Sequence, residues 1–172
     1  MPSWHRRVRR FPHERPRLSL ALTVLAVELV GASGAVFTAR GLASWYGTLQ
    51  RPELAPPNWV FGPVWTALFA LMGVAVWLVW RQLDGAPADR RAGVALAVFA
   101  IHFVGNLAWS AAFFGLQSVD LGLAVIVVLL ALILLTILAF DRVDRRAALL
   151  LVPYLLWTSF AAYLNYQFWI LN

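Results

Sequence analysis

Few residues in this chain could do chemistry, and most of those are aromatic. There is no cysteine, which excludes thiolate nucleophiles, disulfides and cysteine metal sites. Nine tryptophans stand out instead, four of them between Arg51 and Trp80. Polar groups within long apolar runs are rare: Glu28, His102, Asn106 and Ser110. A lone carboxylate inside a membrane span is costly. Glu28 therefore reads either as a proton or ligand contact or, more simply, as a protonated side chain bonded to a neighbouring helix. His102 has the chemistry of an axial haem ligand. With no matching partner, it reads first as a hydrogen-bonded interior group. No acid, base, nucleophile or metal constellation for ordinary hydrolytic or redox turnover is present, and no metal site is expected.

The spacing of the aromatics is helical. Trp65, Phe69, Met72, Val76 and Trp80 follow at steps of four, three, four and four, which places them on one stripe with Trp77 facing elsewhere. His102, Asn106, Trp109 and Phe113 share a face in the same way, and so do Tyr154, Trp157, Ala161, Leu164 with Asn165, and Phe168. An aromatic stripe can be plain helix packing or an interfacial belt. Several such faces converging with few polar groups suit a flat, largely apolar ligand held by stacking and burial.

The elements that must carry these faces are set by composition. With 62% hydrophobic residues, 13% charged and a mean hydropathy of +0.74, the chain departs from a soluble domain. Five apolar segments of about 20 residues, each long enough to cross a bilayer, use most of the length. The expected fold is an all-α integral membrane bundle of five transmembrane helices, near 18–39, 63–80, 92–114, 121–140 and 147–171. Residues 1–17 form a basic cytoplasmic tail, and 18–172 form the membrane domain. The tail is expected to be disordered and held near anionic headgroups; a signal peptide is the competing reading, disfavoured because the apolar run is too long. Pro52, Pro56 and Pro57 make the segment before Asn58 irregular, so a long loop joins helices 1 and 2. Asn58 is a candidate N-cap, Gly85 and Pro87 break the chain after helix 2, and Pro153 should kink helix 5.

All fourteen basic residues are arginine, and twelve of them fall in the tail and in the loops after the second and fourth segments, against Arg40 and Arg51 elsewhere. The net charge of +6 thus belongs to membrane orientation rather than to nucleic acid. The positive-inside rule puts the N-terminus in the cytoplasm and the C-terminus outside. Gly31, Gly34 and Ala35 in helix 1, and Gly93, Ala97 and Ala100 in helix 3, are small faces that admit another helix, from the same bundle or from a second copy in a homodimer.

Four strings carry a resemblance: WYGTLQRP (Trp45 to Pro52), PPNWVFGPVWT within 56–66, NLAWSAAFFG (Asn106 to Gly115) and PYLLWTSFAAYLN (Pro153 to Asn165). In this order they resemble the TspO/MBR family, the tryptophan-rich sensory proteins related to the mitochondrial translocator protein. The resemblance implies a bacterial membrane protein whose helix 1–2 loop, with Trp45 and Tyr46, closes over a ligand pocket. It assigns Trp157 and Ala161 to that pocket opposite Trp65, and Asn106 through the NxAW motif. With the helical faces, the ligand-binding set is Trp45, Tyr46, Trp65, Phe69, Asn106, Trp109, Tyr154, Trp157 and Ala161. The implied ligands are porphyrins such as protoporphyrin IX and haem, bound for transport, scavenging or sensing; no cofactor is required. The resemblance also offers light- and oxygen-dependent porphyrin breakdown with Trp65 and Trp157 as reactive groups. A structural membrane dimer is the third reading. This chain departs from the family pattern at Glu53-Leu54, where Ser-Trp is frequent, and at its end, QFWILN, which lacks the basic residue of a sterol-contact motif.

Overall fold

A computed structural model describes residues 3–84 and 88–172, with helix as the only regular structure among them. The expected breakers Gly85 and Pro87 lie outside the described residues. Among the described residues there are eight α-helices: α1 (Ser3–Glu14), α2 (Pro16–Ser33), α3 (Ala35–Ser44), α4 (Phe61–Trp80), α5 (Ala88–Ser110), α6 (Val119–Asp141), α7 (Arg145–Leu150) and α8 (Val152–Leu171). They combine into five spans long and apolar enough to cross a membrane: Pro16–Leu42, Asn58–Leu83, Arg90–Gly115, Val119–Asp141 and Arg145–Leu171. Exposed Leu25, Leu29, Val104, Val128 and Leu138 on their outer faces are what a lipid-facing surface requires.

The tail departs from its expected disorder. Ser3–Glu14 is a helix whose last turn docks on the end of α4: the Phe11 ring lies 6.2 Å from that of Trp80, and His13 Nε2 donates to the Arg81 carbonyl at 2.7 Å. Contacts nearly 70 residues away along the chain supply the order that local composition does not.

Helices α2 and α4 run antiparallel in very close contact over half their length. Trp77 Nε1 donates to Ser19 Oγ at 3.0 Å, a Cβ on Gly73 would stand 2.6 Å from the Val24 Cα, and one on Gly31 would stand 2.5 Å from the Phe69 ring. The helix-1 glycines are therefore spent inside this bundle. Beyond Gly31 the pair separates. The first span breaks at Gly34, whose N–H bonds back to Gly31 O at 3.1 Å, a one-residue-shorter turn that redirects the axis. From there α3 leans onto the end of α5, with Gly41 against Phe114 and Phe37 against Gly115. A wedge is left between α3 and α4.

The other side of the bundle is closed. Along α6 pack α5 on one flank and α7 with α8 on another, around Met72, Ile133, Phe140, Leu151 and Tyr154, all at most 1% exposed. The fifth span bends at Leu151, with Pro153 in the first turn of α8, where its missing N–H breaks no bond. Asn58 opens a single 3-10 turn, Asn58–Val60, rather than capping α4 with its side chain. Gly93, Ala97 and Ala100 stay on an uncovered face of α5.

Candidate functional site

The wedge between α3 and α4 is a cavity of about 320 Å³, closed at its back by α5. One wall comes from α4 (Phe61, Gly62, Trp65, Thr66, Phe69), the opposite one from α2 and α3 (Glu28, Gly31, Ala35, Thr38), and the back from Asn106, Trp109 and Ser110. Exposed Ala32, Ala35, Gly62 and Thr66 mark its mouth, which faces sideways between two helices. Its size is at the lower end for small-molecule pockets.

The aromatic lining is pre-packed. Trp65 lies 5.3 Å from Phe69, Phe69 meets Phe103 edge-on at 5.9 Å, and Trp109 stacks on Phe113 at 5.7 Å. Asn106, 3% exposed, gives its amide nitrogen to the Tyr154 hydroxyl at 2.9 Å, which leaves its Oδ1 as an acceptor at the cavity's back. Trp109 Nε1 donates to Asn165 Oδ1 at 3.2 Å, and Asn165 Nδ2 donates to the Val119 carbonyl at 3.0 Å. These bonds lock the back wall to α6 and α8. A π-helical turn, Ala111–Gly115, then shifts the register of the fifth helix's end. Phe114 lines the cavity, while Phe113, stacked on Trp109, also joins a cluster with Tyr46 and Phe168.

The loop between the first two spans covers one end of the cavity. Tyr46, 5% exposed, reaches the lining from a 3-10 turn. Arg51 lies over its ring at 5.5 Å and also donates to Pro56 O at 3.1 Å and Asn58 Oδ1 at 3.3 Å. Burial pushes the Tyr46 phenol up, and the neighbouring Arg51 charge pulls it partly back. The loop is also fastened from the far side, where Gln50 N–H donates to Asn172 Oδ1 at 2.9 Å and Asn172 Nδ2 donates to Gln50 O at 3.2 Å.

Of the nine residues singled out from sequence, Tyr46, Trp65, Phe69, Asn106 and Trp109 line this cavity together. Trp45 packs edge-on against Phe113 at 5.4 Å, outside it. Tyr154 stands behind Asn106, 1% exposed. Trp157 meets the lining residue Phe61 edge-on at 5.9 Å, and Ala161 follows one turn later on α8. The α8 face also reaches Trp65 itself, whose ring meets that of Tyr154 edge-on at 6.2 Å. Glu28 is on the wall, half-buried, a place its mid-span position hinted at. Ser110, one of the few polar groups of the apolar runs, is on the lining too, with Thr38 and Thr66, which carry no signal in sequence.

His102 is not in the cavity. It is buried between α5 and α6, where Thr136 Oγ1 lies 3.2 Å from Nδ1. The threonine hydroxyl also reaches Leu132 O at 2.8 Å, and His102 Nε2 has no hydrogen-bond partner among the described residues.

Together these features define a class: a polytopic helical membrane protein with a laterally open, aromatic cavity between its first three spans. The chain belongs to the TspO/MBR family, whose model matches residues 23–170. It is 46% identical over 155 residues to the tryptophan-rich protein TspO of Chlorobaculum tepidum, covering 90% of this chain and 96% of that one. The tryptophan-rich protein TspO of Archaeoglobus fulgidus is 39% identical over 155 residues, 90% of this chain and 97% of its own. The translocator protein of Bos taurus is 34% identical over 145 residues, 84% and 85% of the two chains.

Proposed function

We propose that this protein binds a tetrapyrrole such as protoporphyrin IX or haem in the cavity between its first three spans, in order to carry, sequester or sense it. The observation that supports this most is the wall itself: Trp65, Phe69 and Trp109 offer ring surfaces to a flat apolar ligand, and Asn106 Oδ1 and Glu28 offer acceptors to ring N–H groups. Arg51, which contacts the lining residues Tyr46 and Asn58, provides a planar fork for an acidic substituent at the mouth. A macrocycle would enter sideways with one edge left between the helices, since the closed volume is small. The twelve-to-two arginine asymmetry supports an orientation with α1 on the cytoplasmic side and the end of α8 on the opposite one.

The test is quenching of tryptophan fluorescence by protoporphyrin IX in the dark, with two filled variants. A Cβ on Gly62 meets nothing within 4 Å, so Gly62→Phe fills the cavity mouth without a backbone clash, whereas Ala161→Phe fills the space beside α8. Saturable binding weakened at least tenfold, roughly 1.4 kcal/mol, by Gly62→Phe and left intact by Ala161→Phe is the expected result. The reverse pattern moves the site to the α4–α8 side. Binding unchanged in both variants defeats the tetrapyrrole site altogether.

A further inference from the structure

At the opposite end of the bundle from the cavity, a second recess of about 240 Å³ is bounded by Arg90, Arg91 and Val94 of α5 and by Ala139 and Arg142 at the junction with α6. Three arginines line it, and none of them forms an ion pair among the described residues. Asp144 is engaged with the Arg146 N–H at 2.8 Å and its side chain at 3.6 Å, and the exposed Asp141 forms no ion pair with the three arginines. Three like charges around one recess repel one another unless an anion joins them.

The location says which anion. Arg90 opens the third span and Arg142 follows the fourth, so the recess is at the boundary between hydrocarbon and headgroups. Below it run two exposed apolar stripes at helical spacing, Val94, Ile101 and Val104 on α5 and Val128, Leu135 and Leu138 on α6. We infer that the recess is a site for an anionic glycerophospholipid, with its phosphate among Arg90, Arg91 and Arg142 and its acyl chains along those stripes. Arginine forks suit the phosphate oxygens, and the neutral walls at Val94 and Ala139 suit the glycerol and first methylenes. The loop arginines that bias orientation then also select the lipid against which α5 and α6 sit.

Native mass spectrometry of the purified full chain, titrated with phosphatidylglycerol or phosphatidylcholine, tests this. The wild type is expected to retain one phosphatidylglycerol in preference to phosphatidylcholine. The Arg90→Gln, Arg91→Gln, Arg142→Gln triple variant is expected to lose that preference by about tenfold or more. Val94→Trp, which keeps every charge but narrows the apolar lip, should weaken retention too, while Arg40→Gln on the other side leaves it unchanged. All three arginines are exposed, so thermal unfolding of the triple variant should match the wild type. Equal lipid retention in wild type and triple variant overturns the proposal. So does loss in the triple variant alone with Val94→Trp unaffected, which would be diffuse charge attraction, or displacement of the lipid by millimolar inorganic phosphate, which would make the recess a free-anion site.

Discussion

Two helix pairs in this bundle are built from similar apolar sequence and end up differently. The α5–α6 pair stays in contact along its length, with His102 bonded to Thr136 midway and Phe99 stacked on Phe140 at 6.0 Å. The α2–α4 pair begins closer still, glycine against backbone, and then parts. The difference comes from one break. Helices without a hydrophobic drive between them associate by van der Waals fit and interhelical hydrogen bonds. Where Gly34 redirects the axis, that fit is transferred from α4 to the end of α5, and the abandoned side of α4 becomes a cavity wall. A ligand site in such a bundle is a place where two helices stop matching.

Substitutions can break this contrast, and the largest effect belongs to the sealed side. Phe140 is fully buried, so Phe140→Ala should cost about 3–5 kcal/mol in detergent or lipid unfolding, with porphyrin affinity preserved in the protein that remains folded. Next comes the close half of the open pair. Gly73→Val must push Val24 backbone away and should destabilise by about 1–3 kcal/mol. Gly62→Val, on the same helix but facing open space, should leave the unfolding midpoint unchanged; equal loss in both would mean α2 and α4 do not part where described.

Trp109 belongs to both regions, and its replacement sharpens the boundary. Trp109→Phe keeps a ring on the cavity but removes the donor to Asn165, and should cost about 1 kcal/mol of stability together with a measurable loss of porphyrin quenching. The smallest effect is at the loop. Arg51→Gln should cost about 0.5–1 kcal/mol through its lost contact with the Tyr46 ring. It should also raise the Tyr46 pKa further, since Arg51 is what pulls it down, a shift readable as phenolate absorbance against Tyr46→Phe. The sign follows from the raised value. The folded state holds the phenol proton more tightly than the unfolded chain, so stability from this group is intact below the ordinary value of 10.0 and declines as pH rises through the raised one.

Much of this architecture is legible in the residues. Apolar runs of spanning length bring the five membrane crossings with them, because a backbone in lipid must bond to itself and helix is the local way to do so. The bend near Pro153 follows from the geometry of one residue. Spacing alone groups Trp65 with Phe69 and Asn106 with Trp109, since neighbours on a helical face need no tertiary information.

What spacing cannot carry is which faces meet. Trp157 and Tyr154 belong to a regular α8 face, yet that they meet Phe61 and Trp65 of another span is in no periodic count. Phe113 joins Tyr46 of the loop and Phe168 of α8, partners that no count along one helix contains. The helix in the tail exists by docking Phe11 and His13 on the Trp80–Arg81 corner. Composition and periodicity by themselves determined a five-span membrane bundle with aromatic faces, because burial in lipid acts residue by residue. The tertiary structure alone decided where the cavity lies, because a cavity is made by the misfit between helices, and misfit belongs to pairs of surfaces rather than to either sequence.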